Sequence, residues 1–361
     1  MIDPMMHRSA ADPTPLDRFR GCLLGGAVGD ALGSPLEFMP LEEIVQSWGA
    51  NGPDDLVDGG FPAGSFTDDT QMTLFVAEGV IRSLNYRSLH DDVPPIEILL
   101  DSHRRWLSTQ GRLPLGERDG GEAFTSWLTE IPELNEERAP GNTCISALES
   151  GELGSLGNPL NDSKGCGGVM RVAPVGLGWA GDPFLCGCEV AALTHGHPTG
   201  WLASGCMARI IYYLVAGIDL EAAVERAMAE LEDYPDNEET VTALEHALAF
   251  EALGLGNSEE VECLGGGWVA EEALAIAVFC ALIAPDFESA LRLAVTHSGD
   301  SDSTGSITGQ ILGAQFGADV IPRRWLDRLE LRGVIDKVAT DLYHAAANGD
   351  KPYDLERYPA E

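Results

Sequence analysis

Two short acidic segments carry the oxygen-rich side chains with most capacity for chemistry, Thr67-Asp68-Asp69 in the N-terminal part of the chain and Asp300-Ser301-Asp302-Ser303 near its other end. Each alone has a plain role, because a helix N-terminus stabilises a carboxylate and takes Ser, Thr or Asp as a cap. Together they say more. Four carboxylates and their hydroxyl neighbours in one pocket would repel one another unless cations sat among them. Hard oxygen donors without a nearby Cys or paired His suit Mg²⁺, Mn²⁺ or Ca²⁺ rather than zinc, and a set this large could hold two ions.

A third candidate is the glycine-rich run Lys164-Gly165-Cys166-Gly167-Gly168-Val169-Met170-Arg171, whose backbone N–H groups could approach a phosphate closely. It fits neither the Walker nor the dinucleotide-binding pattern, so a simple turn is the competing reading. The fourth is Thr194-His195-Gly196-His197-Pro198-Thr199-Gly200. Histidines at i and i+2 do not share a helix face, which favours ligand contact or capping over joint metal binding.

The elements that must position these residues read as helices. Thr14 and Pro15 open one as cap and first residue, and its apolar run continues towards Leu32. Another follows Thr67-Asp68-Asp69, with Met72, Phe75, Val76, Gly79 and Val80 spaced for one buried face. Further helices are expected at about 96–110, 142–150, 183–194, 198–216, 219–232, 238–254, 270–284, 286–297, 303–317 and 322–347, so the fold class is all-α. Gly21, Gly25, Gly29 and Gly33 recur every four residues, and so do Gly305, Gly309, Gly313 and Gly317. Each set forms a flat stripe whose helix-propensity cost of ~1 kcal/mol per glycine calls for close backbone contact in return. The two striped helices are therefore expected to lie against each other or against neighbours, bringing the acidic segments to one place.

Composition narrows the partners. A net charge of −36 repels nucleic acid and anionic membrane surfaces, while bound cations could still reverse the field locally for an anionic small molecule. The eight cysteines are scattered with no CxxC pair and read as reduced, mostly buried hydrophobes. No segment reaches the ~18 consecutive apolar residues of a membrane span, and residues 1–15 have no signal-peptide core. The expectation is a cytoplasmic monomer: a flexible segment at 1–16, one domain at 17–347 and a tail at 348–361.

The motifs GDALGSPLEF, GSFTDDTQM, RAPGNTCISAL, GCGGVMR, THGHPTGW and HSGDSDSTGSITG, in this order, resemble the ADP-ribosylglycohydrolase family from about residue 17 to 320. The resemblance implies a compact orthogonal all-α domain with a dinuclear Mg²⁺ or Mn²⁺ cleft that binds ADP-ribose. It makes Thr67, Asp68, Asp69, Asp300, Asp302 and Ser303 metal ligands and places Glu37 near the reacting ribose. The catalytic carboxylates would be Asp68, Asp69, Glu37 and Asp302, with the choice of base left open. Gly167, Gly168 and Met170 would cradle the diphosphate and ribose, with His195 or His197 near the nucleotide; some members have Ser or Asn where Cys166 stands. Within the family the motifs look closer to the ADP-ribosylarginine hydrolases and the dinitrogenase-reductase-activating type than to the serine-directed branch. The implied reaction removes ADP-ribose from modified arginine on proteins. Its rivals are other ADP-ribose conjugates (serine, O-acetyl-ADP-ribose), a non-catalytic binder or structural protein, and a diphosphate-cleaving hydrolase.

Overall fold

The computed structural model describes residues 12–117, 121 and 124–360, so most of the expected flexible segment at 1–16 lies outside the described residues. In chain order its α-helices are α1 Pro15–Gly33, α2 Leu41–Trp48, α3 Asp68–His90, α4 Glu97–Thr109, α5 Asn142–Glu149, α6 Ala173–Gly178, α7 Pro183–Ala192 and α8 Pro198–Val215. There follow α9 Leu220–Leu231, α10 Glu238–Ala252, α11 Ser258–Glu262, α12 Ala270–Ile283, α13 Phe287–Val295, α14 Ser301–Phe316, α15 Arg323–Leu326 and α16 Arg332–Ala347. No strand forms among the described residues; two isolated bridges are the only β pairing there. The expected all-α class is observed.

α1 starts where its local chemistry dictates. Thr14 accepts from the Asp17 N–H at 3.2 Å, Asp17 answers with its carboxylate, and Pro15 needs no donor at the first position. The glycine stripes then do what their spacing implied. An added Cβ on Gly21, Gly25 or Gly29 would fall on the backbone of Gly313, Gly309 or Gly305 in turn, so α1 and α14 run antiparallel in direct backbone contact. At the end of this seam Gly33 meets the backbone of Ser301 and Asp302. The end of α1 is thereby locked to the start of α14.

One apolar cluster extends from Phe19 to Tyr358 around this pair, including the fully buried α12 segment Ala273–Cys280. All eight cysteines are free, and six are buried, Cys166 being partly exposed and Cys263 exposed. No helix among the described residues is long and apolar enough to cross a membrane.

Two expectations need correction. The helix expected over 322–347 is broken between α15 and α16: Leu331 takes φ 48° and the Glu330 N–H donates to the Gly64 carbonyl at 2.9 Å. That detour puts the Glu330 carboxylate 3.1 Å from Arg138, a buried side chain supporting one wall of the site. The segment expected as a tail is docked instead. Tyr353 and Tyr358 donate to the two oxygens of the buried Asp341 at 2.6 and 2.8 Å, and Asn85 on α3 donates to both tyrosine carbonyls.

Candidate metal and ligand site

The first acidic segment is held by a residue of the glycine-striped helix α1. Asp30 on α1 is fully buried and accepts from the Thr67 N–H (2.9 Å), Thr67 Oγ1 (3.0 Å), the Thr70 N–H (3.0 Å) and Thr70 Oγ1 (2.5 Å). Thr67 caps α3, its oxygen also accepting from the Asp69 N–H at 3.3 Å. The Asp68 N–H donates to the Arg138 carbonyl at 3.0 Å, and Asp68 Oδ2 accepts from the Gly141 N–H at 3.3 Å. The RAPGN segment is therefore the near wall of the site.

The second segment arrives through the glycine seam. Asp300 caps α14, and its Oδ1 accepts from the Ser303 N–H at 3.3 Å. Glu37, on the turn after α1, can place a carboxylate oxygen within 4.8 Å of oxygens from both Asp300 and Asp302. Asp68 and Asp69 line the same cavity, so the structure brings both segments together. Asp69 Oδ1 is buried without any hydrogen-bond partner, an acceptor for which the protein offers no donor.

Crowding shows in the acidities. Burial, followed by the charge of Asp302, raises Asp68, Asp69 and Asp300 well above the ordinary aspartate value. The same causes push Glu37 up to about 9 and Asp30 up to about 7, the latter opposed by its hydrogen bonds from Thr70 and Thr67. A crowded carboxylate cluster with an unpartnered buried acceptor fits a hard divalent ion on its oxygens, with the Cys166 thiol donating to Asp300 Oδ2 at 2.8 Å.

The cavity, about 310 Å³, is lined by these carboxylates together with Asn142, Thr143, Gly165, Gly167 and His195. A larger cleft of about 360 Å³ opens beside Leu84 and Trp179. Its ionisable groups Arg87, Asp91 and Asp92 are exposed, so size alone does not choose the site. The glycine-rich loop is pinned by the 267–270 segment, with the Cys166 N–H on the Trp268 carbonyl (3.2 Å) and the Ala270 N–H on the Lys164 carbonyl (2.8 Å). At Gly167 an added Cβ would stand 2.9 Å from both Cys144 Sγ and His195 Cε1, so a larger residue would force those side chains to shift. Met170 lines the cavity, and its carbonyl accepts from Gln310 Nε2 at 2.8 Å. Gly168 packs away from the cavity, against Ala191 and Ser204.

The two histidines separate. His197 is not part of the cavity wall; it caps α8, its Nδ1 accepting from the Thr199 N–H at 3.2 Å. His195 is a wall residue. Its Nδ1 stands 2.8 Å from Thr194 Oγ1, which also accepts from buried Arg171 at 2.7 Å, and its Nε2 lies beside Gly165 and Gly167. Burial and the Arg171 charge push His195 down to about 3, so its ring is neutral at pH 7.

The sequence reading missed Asp30, Phe38, Asn142, Thr143 and Trp268. A buried aspartate in a glycine-striped helix was the one available signal for Asp30; nothing local distinguishes the others.

The ADP-ribosylglycohydrolase family model matches residues 11–352. The chain is 27% identical to the ADP-ribosyl-[dinitrogen reductase] glycohydrolase of Rhodospirillum rubrum, over 89% of this chain and 92% of that protein. It is 26% identical to the ADP-ribosylarginine hydrolase Tri1 of Serratia proteamaculans, over 93% and 81% respectively. Among solved structures, an ADP-ribosylglycohydrolase-related protein complex superposes with a TM-score of 0.64 at 26% identity, covering 92% of this chain and 99% of that one.

Proposed function

The chain belongs to the ADP-ribosylglycohydrolase family and is a hydrolase, and on that premise we propose that it removes ADP-ribose from modified arginine side chains of proteins with the help of divalent cations. The observation that carries the reading is the lining of the cavity, which sets the crowded carboxylates Glu37, Asp68, Asp69, Asp300 and Asp302 beside the glycine-rich loop and His195. The glycine-rich loop suits a diphosphate, for which Gly167 lines the cavity with His195 beside it. His195 rather than His197 is therefore the proposed nucleotide contact.

The proposed ligands are Thr67, Asp68, Asp69, Asp300, Asp302 and Ser303. Thr67 keeps one lone pair after donating to Asp30 and accepting from Asp69. Bound there, two Mg²⁺ or Mn²⁺ ions would supply positive charge to ribose hydroxyls and make water more acidic. The chain's own groups do the rest. The carboxylates favour the positive charge that develops at C1 of the ribose as the C1–N bond lengthens. Asp68, Asp69 or Glu37 accepts a proton from the attacking water, and a protonated carboxyl of the same set can return one to the departing guanidine nitrogen. Asp30 positions: it holds the Thr67–Thr70 turn and so aims Asp68 and Asp69. The 26% identity to an enzyme named an ADP-ribosylarginine hydrolase supports arginine as the acceptor.

Incubation with ADP-ribosyl-arginine and ADP-ribosyl-serine peptides, with and without EDTA, tests the reading. The expected result is intact ADP-ribose from the arginine peptide, lost with chelator and restored by Mg²⁺ or Mn²⁺. Release from the serine peptide only, chelator-insensitive release, or AMP as product would each overturn it.

A further inference from the structure

Among the described residues four arginines are buried, and three of them meet a carboxylate. Arg82 and Arg105 share Glu78 at 2.9 and 3.0 Å, and Arg138 takes Glu330 at 3.1 Å. Arg171, the fourth, does not. Fully buried, it has only neutral partners among the described residues. One terminal nitrogen, Nη1, donates to Cys144 Sγ at 3.2 Å and lies 3.9 Å from Met72 Sδ. The other, Nη2, donates to the Val190 carbonyl at 3.2 Å and to Thr194 Oγ1 at 2.7 Å, while the Nε–H finds no acceptor. A guanidinium buried without a paired counter-charge is costly, so its presence calls for a reason beyond packing.

Its place supplies one. Cys144 lines the cavity, and Thr194 passes the contact on to His195 Nδ1 at 2.8 Å, His195 being a second lining residue. Cys144 Sγ and His195 Cε1 each stand 2.9 Å from the position of a Cβ on Gly167, so the two side chains that Arg171 fixes flank the glycine-rich loop. The charge itself lies one side chain behind that wall. After burial it is what lowers His195, and Asp68 acts on it in turn. On a chain of net charge −36 this is a fixed positive charge beside a cavity crowded with carboxylates. Salt screens such a buried charge little, and it acts on whatever enters.

Resting on the reading that the glycine-rich loop takes a diphosphate, we infer that Arg171 is the positioning residue for that group. It holds Cys144 and, through Thr194, His195 around Gly167, and its unpaired charge lets this wall accept an anion close to the carboxylates. The same charge opposes a divalent ion at Asp68, so Arg171 raises affinity for the anion and lowers it for the cation.

Arg171→Met keeps an unbranched side chain beside Met72 and Cys144 and removes the charge. By calorimetry it should bind free ADP-ribose in saturating Mg²⁺ about tenfold more weakly than the parent and Mg²⁺ alone about threefold more tightly. A merely structural role would weaken both. Thr194→Val keeps the charge and cuts only the link to His195, so ADP-ribose should bind about threefold more weakly with Mg²⁺ affinity unchanged. This second variant decides the matter if Arg171→Met does not fold. Unchanged ADP-ribose affinity in either variant, or loss of both affinities together in Arg171→Met, would overturn the inference. A parent that binds no ADP-ribose overturns the reading above and this inference with it; a parent that binds it alongside insensitive variants overturns only the role of Arg171.

Discussion

α3 buries carboxylates at two places and treats them in opposite ways. In its middle, Glu78 is fully buried between two arginines, accepting from Arg82 Nε and Arg105 Nε at 3.0 Å each. At its N-terminus, Asp68 and Asp69 are buried beside Asp30, Asp300, Asp302 and Glu37, and the acidic groups that act on them are one another's. The first cluster is closed: its counter-charges are built in, and it holds α3 to α4. The second is open: like charges crowd one another where they line a cavity, with Arg171 a buried cationic side chain that acts on Asp68. A buried charge that the fold neutralises is architecture; a crowd of like charges lining a cavity is a candidate site.

The largest expected effect breaks the closed cluster. Glu78→Ala leaves two buried guanidinium groups without their carboxylate and should destabilise the fold by roughly 3–5 kcal/mol, read as a lower denaturation midpoint. If the midpoint hardly moves, Glu78 is not the compensated centre described above.

Next comes the open cluster, where Asp302→Asn should cut turnover at least ~100-fold while the metal-free protein melts no lower than the parent, because one crowded charge is gone. Purified Asn variant releasing ADP-ribose at the parental rate would reduce Asp302 to a helix-end residue. A fall in metal-free melting temperature like that of the Glu78 variant would erase the distinction between the two clusters.

The smallest effect concerns pH. Asp68, Asp69 and Asp300 are raised, with Asp30 up to about 7 and Glu37 up to about 9, so without divalent ions the folded chain keeps protons that the unfolded chain releases above about pH 4. Stability contributed by these groups is present below that pH and is lost as pH rises through their folded-state values. Metal-free melting temperature should therefore fall between about pH 5 and pH 8, and Mg²⁺ should stabilise the protein more at the upper pH. Equal stabilisation by Mg²⁺ at both values would argue that the ions do not bind at this cluster.

Much of the architecture was legible because it is local or periodic. The i+4 glycine stripes called for close backbone contact with each other or with neighbours, and the structure makes that contact the α1–α14 seam. The Thr14-Pro15 start of α1 and the capping positions of Thr67 and Asp300 also follow from near neighbours. Asp30 was not legible as a structural hub, since its partners Thr67 and Thr70 lie 37 and 40 positions along the chain. The expected helix over 322–347 failed for a similar reason. Its helical pattern is overruled by a contact from Glu330 to Gly64 that no window of sequence contains.

What the sequence determined by itself is the set of groups and the helices that carry them: hydrophobic spacing, caps and glycine periodicity act over a few residues and survive translation into structure. Only the tertiary structure decided which groups face the cavity. It turned His195 inward and set His197 to cap a helix two residues later, gave Asp69 Oδ1 no partner, and laid Phe38 against Trp268 from across the chain. The reason is that side-chain direction, burial and charge compensation depend on atoms distant in sequence, so the same aspartate is a cap in isolation and one of several crowded carboxylates when α1, α3 and α14 converge.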